Sequence, residues 1–171
     1  MELLNILSEG ENKIIEFKES YTKDIYKTVI AFSNTVGGKI LIGVNDQRQV
    51  IGIDSKIDIF ELKDRIISTI VDHCQPMIMP EIYTINIQSK VLCVIEIMKG
   101  QSLPYYDKNE GKEDSTFVRM GATNRKASLE MIQELERQRD HISYDELICR
   151  DLKFEALDVS CIVEAFEKVN K

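Results

Sequence analysis

The amino-acid sequence predicts one α/β (α+β) domain, in which helices pack on a mixed β-sheet, followed by a short C-terminal helical extension. Three observations support this fold class. Strand-like and helix-like segments alternate along the chain. Residues 39–44 form an almost entirely apolar run, which is typical of a central strand covered on both faces. The chain has 171 residues, 43% of them hydrophobic, and is therefore long enough to bury the core of one domain.

A short helical turn and a first strand open the predicted domain. Apolar residues at positions 3, 4, 6 and 7 indicate the helical turn, and residues 11–20 carry the β-branched and aromatic side chains typical of a strand. Because side chains alternate along a strand, Ile15 and Phe17 are expected on one face, and Glu16 and Lys18 on the other.

A helix, a glycine pair and the buried strand come next. Residues 24–36 have helical period, with Thr22 as the expected N-cap and Gly37 at the helix end. A polar turn at 45–48 and a short strand at 50–53 complete a hairpin. The glycine pair precedes a strand, whereas a nucleotide-binding glycine loop follows a strand and opens a helix, so no phosphate loop is predicted here.

The second half of the domain is predicted as helix, hairpin, strand and helix. A capping box at 55–58 starts the first helix, whose apolar positions are Ile59, Leu62, Ile66, Ile67, Ile70 and Val71. Strands are expected at 81–88, 91–97 and 116–120, with a long loop or loosely held edge strand at 98–115. Ser128 caps a helix carrying Met131, Ile132 and Leu135.

The predicted domain ends near residue 138. Residues 139–171 are expected to form a linker and a C-terminal helix capped by Asp158. This extension could lead into a further domain beyond Lys171.

The composition limits the classes of partner. A net charge of −7 argues against a protein that coats nucleic acid indiscriminately, although a local basic patch remains compatible with it. No apolar run is long enough for a membrane span, and the N-terminus lacks the pattern of a signal peptide. The four cysteines form no CxxC pair, which favours reduced thiols in the cytoplasm over a zinc site.

Four motifs, in order along the chain, resemble the AlbA-2, or Schlafen AlbA-2, domain family. They are EFKES at 16–20, AFSNTVGG at 31–38, IGVND at 42–46 with VIG at 50–52, and FVRMGATNRKA at 117–127. The resemblance covers about residues 9–138. It implies an AlbA-2-like fold and a nucleic-acid-binding function. Domains of this family often form the N-terminal part of bacterial transcriptional regulators or helicase-related proteins.

The same resemblance implies an alternative activity. In animal Schlafen proteins the related domain cleaves transfer and ribosomal RNA with three acidic residues, whose motif positions match Glu11, Glu16 and Asp46 here. Carboxylates suit Mg²⁺ or Mn²⁺, which would make these residues metal ligands, and Lys18 could stabilise the transferring phosphoryl group. Schlafen proteins combine two such lobes in a horseshoe and add a zinc site. This chain carries one lobe and no comparable cysteine–histidine cluster, and a homodimer could supply the second lobe.

Basic and aromatic residues near the closing motif are candidates for nucleic-acid contact. Arg119, Arg125 and Lys126 are expected to bind phosphates, and Tyr105 and Tyr106 to stack on unpaired bases. Each candidate also has a structural interpretation: the acids as strand-end or turn residues, Lys18 as a partner of Glu16, and the tyrosines as packing residues. Three functions therefore stay open: a nucleic-acid-binding domain of a regulator, a metal-dependent endoribonuclease, and a protein-interaction or dimerisation module.

Overall fold

A four-stranded mixed sheet organises the domain. The computed structural model describes residues 2–140, with side chains from Ile6 onward. Its sheet has the order β1-β2-β5-β4, in which β1 and β2 are parallel and the other neighbours antiparallel. These strands are Ile15–Lys18 (β1), Gly38–Ile42 (β2), Glu81–Ile87 (β4) and Lys90–Ile97 (β5). The predicted α/β class with a mixed sheet is confirmed.

Two small ribbons and five helices complete the described fold. The ribbons pair Cys74–Gln75 (β3) with Tyr106–Asp107 (β6), and Phe117–Met120 (β7) with Thr123–Lys126 (β8). The helices are Glu2–Glu9 (α1), Ile25–Asn34 (α2), Ile59–His73 (α3), Lys112–Ser115 (α4) and Leu129–Asp140 (α5). Within these residues, no helix is both long and apolar enough to cross a membrane.

The sheet separates two hydrophobic cores. On one face, Ile40 and Ile42 of β2 pack with apolar residues of α2, α3 and α5. On the other face, Leu41 joins Ile15 and Phe17 of β1, and Ile6 and Leu7 of α1 pack against that cluster. Because β2 contributes side chains to both cores, its last three residues, Ile40, Leu41 and Ile42, are all apolar.

Several predicted elements differ in detail from the structure. The side chain of Asp58, rather than Ser55, caps α3 by accepting hydrogen bonds from the backbone N–H groups of Phe60 and Glu61, at 2.7 and 3.3 Å. Helix α2 has Asp24, not Thr22, at its N-cap position. Residues 50–53 form no strand and make a single bridge, from Val50 to Val44.

Two further differences concern α3 and β8. Ile67 and Val71 are about half-exposed, because the buried stripe of α3 runs through Leu62, Ile66 and Ile70 on the other side of the helix. Strand β8 was not predicted, since its sequence TNRK carries no apolar alternation. It is held by its pairing with β7 rather than by a buried face.

The described residues 2–140 belong to one compact unit. Helix α5 continues to Asp140, two residues past the predicted boundary at 138. The helix predicted from Asp158 lies outside the described residues, and the division of the chain at 138 stays a prediction.

Gly37 makes the close approach between the end of α2 and β5 possible. Its φ of +81° lies in the left-handed region, and its N–H donates to the carbonyl of Phe32 at 2.9 Å. A Cβ atom here would lie 2.6 Å from the backbone oxygen of Ile97, an atom that cannot move without shifting β5. The sequence-based interpretation of the glycine pair as a structural element agrees with this geometry.

We therefore expect Gly37→Ala to lower the free energy of unfolding by about 2–4 kcal/mol, through the cost of positive φ and the backbone clash together. Gly121→Ala is the matched control, because Gly121 has a φ of +61° and nothing within 4 Å of the added Cβ. The control is expected to lower the free energy of unfolding by about 1–2 kcal/mol, because it has the cost of the positive φ but no clash. Equal losses for the two variants in urea unfolding would contradict the proposed clash.

Candidate nucleic-acid interface

Glu16 carries a buried carboxylate that is bound by two cations. It lies in β1 on the face opposite Ile15 and Phe17, as the alternation predicts, and only 6% of the residue is exposed. Lys18 Nζ lies 2.7 Å from Oε1, and Arg119 Nη1 lies 2.7 Å from Oε2. Both carboxylate oxygens are therefore engaged within the domain.

Arg119 is an interior residue that links β7 to β1. Its guanidinium donates to the carbonyls of Asn12 and Ile15, with Nη2–O distances of 2.9 and 3.0 Å, and to Asn124 Oδ1 at 2.9 Å. It also lies over the ring of Phe32, and its side chain is 1% exposed. A buried guanidinium with these partners is not available to a phosphate, so the predicted phosphate contact at Arg119 is corrected to a structural role.

Glu11 and its neighbours close the outer edge of β1. Glu11 Oε1 accepts a hydrogen bond from the backbone N–H of Phe17 at 3.0 Å. The carbonyl of Ile15 accepts from the N–H of Asn12 at 3.1 Å and from Arg119. Among residues 2–140, β1 has a strand neighbour only on its β2 side, so these contacts satisfy backbone groups that an edge strand otherwise leaves open.

Asp46 lies apart from this arrangement, exposed on the turn that follows β2. Asn45 organises the turn by accepting a hydrogen bond from the N–H of Gln49 at 2.8 Å. Among residues 2–140, no three His, Cys, Asp or Glu side chains are grouped so that they could hold a metal ion. The structure does not bring Glu11, Glu16 and Asp46 together as such a group, and their role as ligands of Mg²⁺ or Mn²⁺ stays a prediction.

The β7–β8 ribbon presents the basic residues that remain accessible. Arg125 is exposed on β8 opposite Val118, and it makes no ion pair with another described residue. Lys126 is also exposed and pairs with Asp114, with 2.7 Å between Nζ and Oδ1. Exposed ion pairs of this kind contribute little to stability, and the lysine can exchange its carboxylate partner for another anion.

Asn124 fixes the ribbon to the body of the domain. Its side chain accepts from Arg119 and donates to Thr28 Oγ1 of α2 at 2.8 Å. Arg119 and Asn124 face inward as directly paired residues of β7 and β8. Arg125, the next residue, consequently lies on the opposite face of a firmly attached ribbon.

Comparison with known proteins shows to which family this chain belongs. Residues 11–128 match the family model described as Schlafen, AlbA_2, which is more than half of the chain. The chain belongs to the Schlafen AlbA-2 family. No curated protein matches it.

Two solved structures share the AlbA-2 fold of this chain. The DIP2311 protein of Corynebacterium diphtheriae matches with a TM-score of 0.56 and 17% identity, over 79% of this chain and 31% of that one. The N-terminal domain of a RecG-related ATP-dependent DNA helicase protein of Nitrosomonas europaea matches with a TM-score of 0.53 and 24% identity. This match covers 75% of this chain and 92% of that one. This chain therefore spans about a third of the Corynebacterium protein, and at these identities the similarity concerns the fold alone.

The two tyrosines predicted to stack on bases differ in accessibility. Tyr105 is buried, its backbone N–H and carbonyl both bond to Asn34, and its hydroxyl accepts from the N–H of Ser102 at 3.4 Å. It packs within the fold and offers no free ring for stacking, so the structural interpretation applies. Tyr106 is half-buried in β6, where it pairs with Gln75.

Residues without a motif also contribute to the AlbA-2 surface. Lys13 and Lys99 are exposed, and neither has an ion-pair partner among the described residues. Neither lysine belongs to a motif that would indicate a function in the sequence. Only the folded structure shows which residues surround Lys13 and Lys99.

Proposed function

We propose that this AlbA-2 domain binds nucleic acid through the exposed side chain of Arg125 on the β7–β8 ribbon, as the recognition module of a regulatory protein. The observation that carries the proposal is the exposed guanidinium of Arg125, which has no anionic partner among the described residues and projects from a ribbon anchored by Asn124. A planar guanidinium on a fixed support suits the bidentate contact with a phosphate. Lys126 extends from the other face of the same strand, in an exposed ion pair that a phosphate could replace.

The acidic composition shapes the binding that we expect. With a net charge of −7, the domain repels a polyanion everywhere except at a local basic surface. Binding should therefore be confined to a few phosphate contacts, and it should weaken steeply with salt. The RecG-related neighbour belongs to a DNA helicase-related protein, which makes DNA as well as RNA a ligand to test.

The sequence-based nuclease hypothesis finds less support in the site. Divalent-metal catalysis would require Glu16 to exchange both of its cationic partners for a metal ion, and Glu11 to give up its bond to the β1 edge. We therefore propose binding rather than cleavage. The homodimer stays a prediction.

Arg125→Ala tests the proposed interface. We expect a three- to tenfold loss of affinity for labelled DNA or RNA oligonucleotides, measured by fluorescence anisotropy with the full chain. Because one phosphate contact is removed, the slope of log affinity against log salt should decrease by about one. The folded state should be unaffected, since Arg125 is a surface residue.

Arg65→Ala is the matched control, because Arg65 is an exposed arginine of α3 whose guanidinium lies over the ring of Tyr21. Its affinity for the oligonucleotides should equal that of the wild type. Equal losses in the two variants would indicate non-specific electrostatics and contradict an interface on the ribbon. Absence of any binding by the wild type at low salt would overturn the proposed function altogether.

A further inference from the structure

Three surface cavities join beside the start of β1 and β2. The first, of about 540 Å³, lies between residues 11–14 and the turn at Gly121 and Ala122 of the β7–β8 ribbon. The second, of about 630 Å³, shares Asn12 and Ile14 with the first. The third, of about 350 Å³, shares Met98 and Lys99 with the second. Because neighbouring cavities share lining residues, we name the three together the strand-end groove.

The groove combines exposed apolar side chains with accessible lysines. Its exposed apolar residues are Ile14, Val36, Met98, Met77 and Met79. Lys13 and Lys99 lie along it without an ion-pair partner among the described residues, whereas Lys39 is paired with Glu96. Glu9 and Glu11 also line it, so the positive charge is local rather than continuous. Proteins that hold single-stranded nucleic acid combine cationic side chains that contact the backbone with side chains, most often aromatic, against which bases pack. Here the methionines of the groove provide the packing surface.

Ser33 supplies a second and independent observation. It lines the third cavity, it is 1% exposed, and its hydroxyl is the one buried side-chain polar atom of the described residues that makes no hydrogen bond. Buried polar groups are nearly always paired, because an unpaired one destabilises the fold. The hydroxyl of Ser33, which has no protein partner, is therefore available to a polar group that the third cavity admits.

Methionines at the rim can admit such a partner. Met77, Met79 and Met98 are largely exposed around the third cavity, and their unbranched side chains change rotamer readily. Thioether groups also make favourable contacts with aromatic rings. A flat heterocycle with polar edges matches both the methionine rim and the unpaired hydroxyl.

We propose that the strand-end groove binds single-stranded nucleic acid and that its third cavity receives one unpaired base. The strand runs from the β7–β8 ribbon past Lys13 to Lys99, which contact its phosphates. The base packs against the methionine side chains and forms a hydrogen bond with the hydroxyl of Ser33. The inference rests on the proposed function, which it deepens by naming an unpaired strand as the ligand class.

Ser33→Ala separates this proposal from a structural role of the hydroxyl. Removing an unpaired buried hydroxyl should leave the thermal midpoint equal to or above that of the wild type. The affinity for a single-stranded oligonucleotide should nevertheless fall about three- to tenfold. Ser68→Ala, at an exposed position of α3, should change neither quantity. A lowered midpoint for Ser33→Ala would show an internal partner for the hydroxyl and overturn the proposal.

Comparison of single-stranded and duplex oligonucleotides of equal sequence completes the test. Lys99→Ala should weaken single-strand binding three- to tenfold and duplex binding much less, whereas Lys56→Ala, an exposed lysine before α3, should change neither. If Arg125→Ala weakens binding but Ser33→Ala and Lys99→Ala do not, the groove proposal fails and the ribbon interface stands. If the wild type binds neither strand form, both proposals fail.

Discussion

Arg119→Ala is expected to lower the free energy of unfolding by about 3–5 kcal/mol. The substitution leaves the carboxylate of Glu16 buried with Lys18 as its one remaining cation, and a buried charge that loses its partner is strongly destabilising. It also removes the donors to the carbonyls of Asn12 and Ile15. A loss of this size is a large fraction of the stability of a typical domain. Urea unfolding followed by far-ultraviolet circular dichroism would measure it, since the chain has no tryptophan.

Two control variants identify the cause of that loss. Arg125→Ala, at an exposed position of the neighbouring strand β8, should change the free energy of unfolding by less than about 0.5 kcal/mol. Arg119→Lys keeps the positive charge but lacks the planar guanidinium that contacts several carbonyls. Its free energy of unfolding should therefore lie between those of the wild type and Arg119→Ala. If Arg119→Ala is as stable as Arg125→Ala, the ion pair with Glu16 has no role in holding β7 against β1.

The same ion pair affects how site-directed variants of this domain are interpreted. Glu16→Ala and Arg119→Ala both break a buried contact between β1 and β7, so either variant can abolish binding or cleavage by unfolding the domain. Loss of activity in these two variants is therefore no proof that the residues contact a ligand. Arg125 and Lys99 are exposed, and variants at these positions report on the surface directly.

Local patterns in the sequence were sufficient to predict the central elements. The alternation around Ile15 and Phe17 placed β1 correctly, because one of its faces is buried in an apolar cluster. The apolar run at 40–42 in β2 reflects burial on both sides. Helix α2 follows from its apolar stripe, and all of the stripe residues are buried: Ile25, Val29, Ile30 and Phe32.

The candidate site was less predictable, because its contacts join distant parts of the chain. Nothing local distinguishes Arg119, which is buried against Glu16, from Arg125, which is exposed six positions later. Glu16 was expected on the correct face of β1, but its burial depends on side chains from β7. The strand-end groove is assembled from separate loops, none of which has a motif that indicates a cavity.

Asn34 is the second residue at which we expect a large effect. Its buried side chain closes α2 against two other segments: Nδ2 donates to the carbonyls of Tyr105 and Phe117 at 2.7 and 2.9 Å, and Oδ1 accepts from the N–H of Tyr105 at 2.7 Å. The amide thus acts in place of a strand neighbour for Tyr105. It also joins the helix that carries Ser33 to the start of β7.

Asn34→Ala should lower the free energy of unfolding by about 3–4 kcal/mol, because each buried backbone group left without a partner costs about 1–3 kcal/mol and some will recover a bond to water. Asn34→Leu, which keeps the volume but none of the hydrogen bonds, should be at least as destabilising. Asn86→Ala, at an exposed position of β4, serves as the control and should cost less than about 1 kcal/mol. If the leucine variant retained wild-type stability, packing volume rather than the hydrogen bonds would hold Tyr105 and Phe117 against α2.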